Sequence, residues 1–129
     1  MFIIGRAIPC GNFHCLVMSP TARSLKYLRE EGFTAQVVER FNPYAKVRVD
    51  LFGIFDIIAM GDETIVGIQV TSGSNHSAHR DKMNKSKELG EWIQCGGIAV
   101  IHSWSKKVKR NKDGSKSKVK AWTLREEYL

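Results

Sequence analysis

No apolar run in this 129-residue chain approaches the roughly 20 residues of a bilayer-crossing helix, so no segment reads as a membrane span. Cysteine is scarce and odd in number. Cys10, Cys15 and Cys95 fit a reducing, cytoplasmic setting better than a disulfide framework. Cys10, His14 and Cys15 invite a zinc site, but no fourth ligand is evident. Internal repeats are absent. The opening MFIIGRAIPCGNFHCLV is apolar yet has neither a basic leader nor a small-residue cleavage site, and does not read as a secretory signal. Met18 stands directly before a helix-start signal, so residues 1–18 read as an N-terminal extension and 19–129 as one domain.

What is present is a charge imbalance in one place. The net charge is +7, and the segment 105–120 alone accounts for it. Lys106, Lys107, Lys109 and Arg110 are followed by Lys112, Lys116, Lys118 and Lys120, against the single acid Asp113. The remainder of the chain is balanced. A local basic block points to a polyanionic partner, with a merely solubilising hairpin tip as the plainer alternative.

Ser19-Pro20 supplies a helix N-cap and first-turn proline, Ala22, Leu25 and Leu28 follow at helical spacing, and Gly32 closes the helix. Residues 33–40 read as a strand ending at Asn42-Pro43, and 46–60 as a long strand with a bulge or bend at Gly53. Gly61-Asp62-Glu63 makes a hairpin turn into a central strand over 64–71. A helix is expected from Asn75 to about Gln94, with Ala78, Met83, Leu89, Trp92 and Ile93 facing inward. Strands over 97–104 and 118–124 flank the basic hairpin, which turns at Asp113-Gly114. Trp92, Trp104 and Trp122 read as core residues rather than base-stacking platforms. The order is α-β-β-β-α-β-β, an α/β sandwich around a mixed sheet.

The segment Arg48–Ser72 carries the chemistry. Asp56 interrupts the apolar IFDIIA, and an isolated buried carboxylate costs several kcal/mol. Gln69 and Thr71 leave one face of the next strand. Asp50 shares parity with Asp56, Glu39 ends the preceding strand, and His76, His79, Arg80 and Lys82 follow directly after the central strand.

This succession resembles the PD-(D/E)XK nuclease superfamily, and most closely the archaeal-type Holliday junction resolvases. The resemblance covers about residues 19–124. A Gly-Phe closes the first helix (Gly32-Phe33), and an aspartate lies in an apolar strand (Asp56). The Glu-x-Lys expected about 13 residues later is Gln69-Val70-Thr71, and a basic helix and a Gly-Gly-started strand (GGIAVI) follow. The glutamate that the family carries in its first helix falls on Thr21.

The resemblance implies a restriction-endonuclease-like three-layer sandwich and a Mg²⁺- or Mn²⁺-dependent DNA endonuclease, selective for branched or otherwise structured DNA and working as a homodimer. Asp56, Gln69 and the Val70 carbonyl would hold the metal, with Asp50 or Glu39 as auxiliary carboxylate. Thr71 would orient the attacking water. His76, His79, Arg80 and Lys82, with Lys106, Lys107, Lys109 and Arg110, would engage phosphates or assist the water. The replacement of the family's Glu and Lys by Gln69 and Thr71 opens an alternative, a nucleic-acid-binding protein on the same fold with catalysis lost. A basic hairpin that binds acidic protein is a third expectation.

Overall fold

The computed structural model describes residues 3–8, 18–110 and 112–129, with the side chains of 3–8, 109, 110 and 116–119 outside that description. Cys10, His14 and Cys15, the zinc candidates, lie outside the described residues.

Helix α1 (Pro20–Glu30) begins where capping chemistry dictates. Ser19 Oγ accepts the Ala22 N–H at 3.1 Å, Pro20 opens the first turn, and Gly32 at φ 95° turns the chain out. The strands among the described residues are β1 (Ile3–Ile8), β2 (Thr34–Val37), a small hairpin of β3 (Arg40–Asn42) and β4 (Val47–Val49), β5 (Ile57–Gly61), β6 (Thr64–Ser72), β7 (Ile98–Arg110) and β8 (Lys116–Tyr128). The main sheet runs β1-β8-β7-β6-β5-β2, with β3 and β4 paired apart from it. Only the β6–β7 pairing in it is parallel, because helices α2 (His76–Asn84) and α3 (Lys87–Gln94) supply the crossover between them.

Strand alternation sorts side chains into two cores. Ile57, Ile68, Val70, Val100 and Trp104 pack under α1 through Leu28. Phe55, Ala99 and Ile101 meet Met83 of α2 and Leu89 of α3 on the opposite face. The protein is therefore an α/β sandwich with helices on both faces of a mixed sheet.

Several boundaries differ from the sequence expectations. The long strand over 46–60 is two pieces, because Phe52 (φ 57°) and Gly53 (φ 73°) form a tight loop closed by the Leu51–Phe55 bridge rather than a bulge in a continuous strand. The helix over 75–94 breaks at Lys85-Ser86, where Ser86 adopts extended backbone before α3 and its hydroxyl bonds Glu88 at 3.0 Å. Ala78 and Ile93 are consequently exposed, while Met83 and Leu89 are buried and Trp92 half-buried. Strands β7 and β8 run well into the basic block and form a hairpin closed by Gly114 and by Asp113, which accepts from Ser115 N at 2.9 Å. Part of the N-terminal extension, Ile3–Ile8, pairs with β8 at the sheet edge. The turn at Asp62-Glu63 has φ near 50° and 61°, the geometry that matches strand twist in a two-residue hairpin. Trp104 is core, and Trp92 and Trp122 are partly buried against the two cores, as the sequence implies. Among the described residues no helix is long and apolar enough to cross a membrane.

Candidate functional site

The site forms where β5 begins, beside the middle of β6. Backbone geometry delivers its acids. The Asp56 carbonyl accepts Val38 N–H at 2.8 Å and Glu39 N–H at 3.3 Å, so Glu39 is tied to Asp56 before the chain departs into the β3–β4 hairpin. The hairpin returns at Asp50. The tight Leu51–Phe55 loop, with both backbone bonds of the bridge made at 2.9 and 3.0 Å, then sets Asp50 against Asp56. One ligand atom each of Glu39, Asp50 and Asp56 lies within 4.8 Å of the others. The distance in sequence is closed by two reversals of the chain.

Asp56 is 4% exposed and faces β6. Its Oδ2 accepts the Val70 N–H at 2.8 Å and the Gln69 side-chain amide at 3.0 Å. Burial raises its pKa to about 8, a hydrogen bond with Asp50 and the charges of Asp50 and Glu39 push the same way, and the Val70 N–H opposes them. Burial and the neighbouring acids thus favour the protonated form of Asp56. Arg48 Nη1 donates to Glu39 Oε1 at 2.7 Å, although Arg48 is largely exposed and contributes little.

The N–H and C=O of one extended residue leave a strand along the same edge, so the Val70 carbonyl leaves β6 on the Asp56 side, ahead of the start of β5. Gln69 and Thr71 are buried on the face that α2 covers. Gln69 presents its N–H to Asp56, and so orients a carboxylate. This is a different task from the ligand role that the resemblance implies for it.

Helix α2 brings the second set of groups. The His79 ring is half-buried, its Nδ1 has no hydrogen-bond partner among the described residues, and it lies in the field of Asp50. Burial, Lys82 and His76 hold its pKa below the ordinary imidazole value against the pull of Asp50, which keeps the ring neutral near pH 7. Lys82 is exposed.

Other expected phosphate contacts are placed differently. His76 is 1% exposed, with Nδ1 bonded to Ser103 Oγ and Nε2 at 2.8 Å from Glu127 Oε1, so it stands inside the protein and not on its surface. Arg80 donates to the same Glu127 oxygen at 3.3 Å and is largely engaged there. Lys106 and Lys107 point to opposite faces of β7. Lys106 lies over Trp122, 5.2 Å from its ring centre, and Lys107 faces the α2 side. The side chains of Lys109 and Arg110 lie outside the described residues.

Two polar networks escape sequence reasoning. Ser24 Oγ receives the Trp104 indole N–H at 2.8 Å and bonds His102 Nδ1 at 2.9 Å, tying α1 to β7. The Ser103–His76–Glu127 chain ties α2 to β7 and β8. The available signal is the polar alternation of IHSWS in an otherwise apolar strand, and the acids Glu126 and Glu127 just beyond the expected end of the last strand. No family model matches this chain, and no curated protein matches it either.

Proposed function

We propose that the protein is a metal-dependent DNA endonuclease built on a restriction-endonuclease-like plan, similar to the PD-(D/E)XK Holliday junction resolvases. The observation that carries this is the convergence of Glu39, Asp50 and Asp56 within 4.8 Å, beside the Val70 carbonyl. Three carboxylates and a backbone carbonyl are the oxygen donors that a hard divalent cation takes. The raised pKa of Asp56 fits this, since a cation relieves the same repulsion that a proton now relieves. Mg²⁺ or Mn²⁺ held there would supply Lewis acidity to a phosphoryl oxygen and acidify a water.

The chain's own residues do the rest. Gln69 and the Val70 N–H orient Asp56 through Oδ2, and Asp56, Glu39 and Asp50 would hold the cation. His79, neutral and in the field of Asp50, would accept a proton from the attacking water, in the role that a lysine fills in the resembled family. Thr71, on the face of Gln69, supplies a hydroxyl to orient that water. Lys82 and the basic β7–β8 hairpin meet DNA phosphates, which give affinity without sequence information and favour selection by DNA structure.

The loss of the family's Glu and Lys at Gln69 and Thr71 favours a second reading, a binding module without catalysis. One experiment separates the two. Purified protein is incubated with supercoiled plasmid and a labelled four-way junction in Mg²⁺, Mn²⁺ or EDTA. Cleavage that needs metal and disappears in Asp56→Asn supports the endonuclease. Band shifts that are indifferent to metal, with no cleavage, leave the binding module. No affinity for either DNA refutes both.

A further inference from the structure

On the same face of the sheet as Gln69, beyond Thr71, lies a cavity of about 380 Å³ that the chemistry above does not use. Its position follows from the register. Thr71 pairs with Ser103 across β6 and β7, and Ser103 pairs with Arg125 across β7 and β8. At about 4.8 Å between strands and about 3.3 Å per residue, the cavity begins roughly 10–15 Å from Asp56.

We propose that this cavity binds a backbone phosphate of the strand that passes the Asp56 cluster, a few nucleotides from the reacting one; the inference deepens the nuclease reading and rests on it. Its lining is the argument. Ser105 and Thr123 face each other across β7 and β8 and offer hydroxyl donors, with Ser74 at the opening of the 3-10 turn over Gly73–Asn75. Lys107 and Arg125 bring positive charge to the same wall. Arg125 is 42% exposed at its side chain and only 3.8 Å from Glu127 Oε1, so it bridges the interior to the cavity. Glu127 does not line the cavity, and its charge is met from within by His76 and Arg80. Among the described residues no carboxylate lines the wall. Hydroxyls and two cations in a concave site are the donors that a tetrahedral phosphate recruits.

Gly73 shapes the pocket. A Cβ on it would sit 3.2 Å from Ser105 Cβ and 3.5 Å from Ser105 Oγ, so a larger side chain at 73 narrows the cavity and leaves its charge untouched.

The test uses the full chain carrying Asp56→Asn, in EDTA, so that neither metal nor cleavage enters. Binding of a fluorescein-labelled single strand and of a four-way junction is followed by anisotropy from about 50 to about 200 mM salt. Lys107→Gln and Arg125→Gln are each expected to weaken binding about five- to tenfold and to lower the salt slope by about one. Gly73→Val weakens binding with the slope kept, and Lys87→Gln, on the exposed face of α3, changes neither. In a second arm inorganic phosphate shifts the amide resonances of Ser105 and Thr123, and Gly73→Val abolishes the shift. Phosphate shifts without an oligonucleotide effect would overturn the backbone-phosphate assignment and leave a site for free phosphate. Unchanged salt slopes in Lys107→Gln and Arg125→Gln, with thermal melts showing both variants folded, would overturn the site altogether. A parent protein that binds through these residues but never cleaves sinks the nuclease reading alone.

Discussion

Removing the proton from Asp56 should unfold this protein more readily, and the effect can be measured without any knowledge of substrate. The folded-state pKa is about 8, against 3.8 for the ordinary carboxyl. Between those values the folded chain holds a proton that the unfolded chain has released. Stability from this group is therefore complete below about pH 4 and is lost as pH rises through about 8. Four units at ~1.4 kcal/mol each set a ceiling of about 6 kcal/mol, and water reaching a cleft edge brings the expectation to roughly half of that.

His79 titrates in the opposite sense. Its depressed pKa means that the unfolded chain gains the proton first, so its contribution is lost as pH falls below the ordinary imidazole value. The comparison that isolates Asp56 is therefore wild type minus Asp56→Asn, by urea unfolding in EDTA at about pH 5, 7 and 9. The asparagine keeps the acceptor for Val70 N–H and has no titration. From pH 5 only about three of those units remain, so the difference should shift against wild type by about 2 kcal/mol from the acid to the alkaline end. Saturating Mg²⁺ at the alkaline end should recover about that much in wild type and nothing in Asp56→Asn. A difference that stays flat across the range would refute the shared proton and with it the excess charge that argues for a cation.

Other expectations follow from single contacts. A Cβ at Gly67 would meet the Phe55 ring at 2.6 Å, and that ring is fully buried, so Gly67→Ala should cost about 1–3 kcal/mol in urea unfolding. Ser24→Ala leaves the Trp104 N–H and His102 without their partner and should cost about 1–3 kcal/mol, whereas Trp104→Phe in that background should recover part of it. His76→Leu removes the buried Nε2 partner of Glu127, which keeps Arg80 and Arg125, and frees the Ser103 hydroxyl, so it should cost about 1–3 kcal/mol in urea unfolding. Under the proposed reading, Gln69→Glu combined with Thr71→Lys should lower the rate of plasmid nicking in Mg²⁺, because it adds a fourth carboxylate to the cluster, and a raised rate would refute that account of Gln69.

Elements with a strong local signal were legible from sequence. Ser19-Pro20 and Gly32 set α1, the Asp62-Glu63 turn joined β5 to β6, and the tryptophans read as core. Asp56 stood out because a carboxylate in an apolar strand needs a reason, and Gln69 was tied to it because the resemblance placed both. What eluded sequence reading depended on contacts across long separations. Whether Asp50 stands beside Asp56 turns on left-handed backbone at Phe52 and Gly53, which alternation along a strand does not encode. His76 reads as a surface residue at a helix start, and only the β8 strand, through Glu127, shows that it is enclosed. The basic block looked like one patch because sequence counts charge. Strand alternation divides it, sending Lys106 to Trp122 and Lys107 to the other face.

Under the proposed reading, the placement of charge also bears on Gln69 and Thr71, where the resembled family carries glutamate and lysine. A glutamate at 69 beside Glu39, Asp50 and Asp56 would put a fourth carboxylate into a cluster that already retains a proton to about pH 8. Glutamine gives Asp56 a donor instead of another negative charge, and so lowers the cost of the two acids that the hairpin brings. A lysine at 71 is the family's source of a group to handle the water. Here α2 places His79, kept neutral by burial, within the field of Asp50. Under the proposed reading, then, Gln69 and Thr71 do not record two separate losses. They are what β6 would carry once its carboxylate had been taken over by the β3–β4 hairpin and its base by α2.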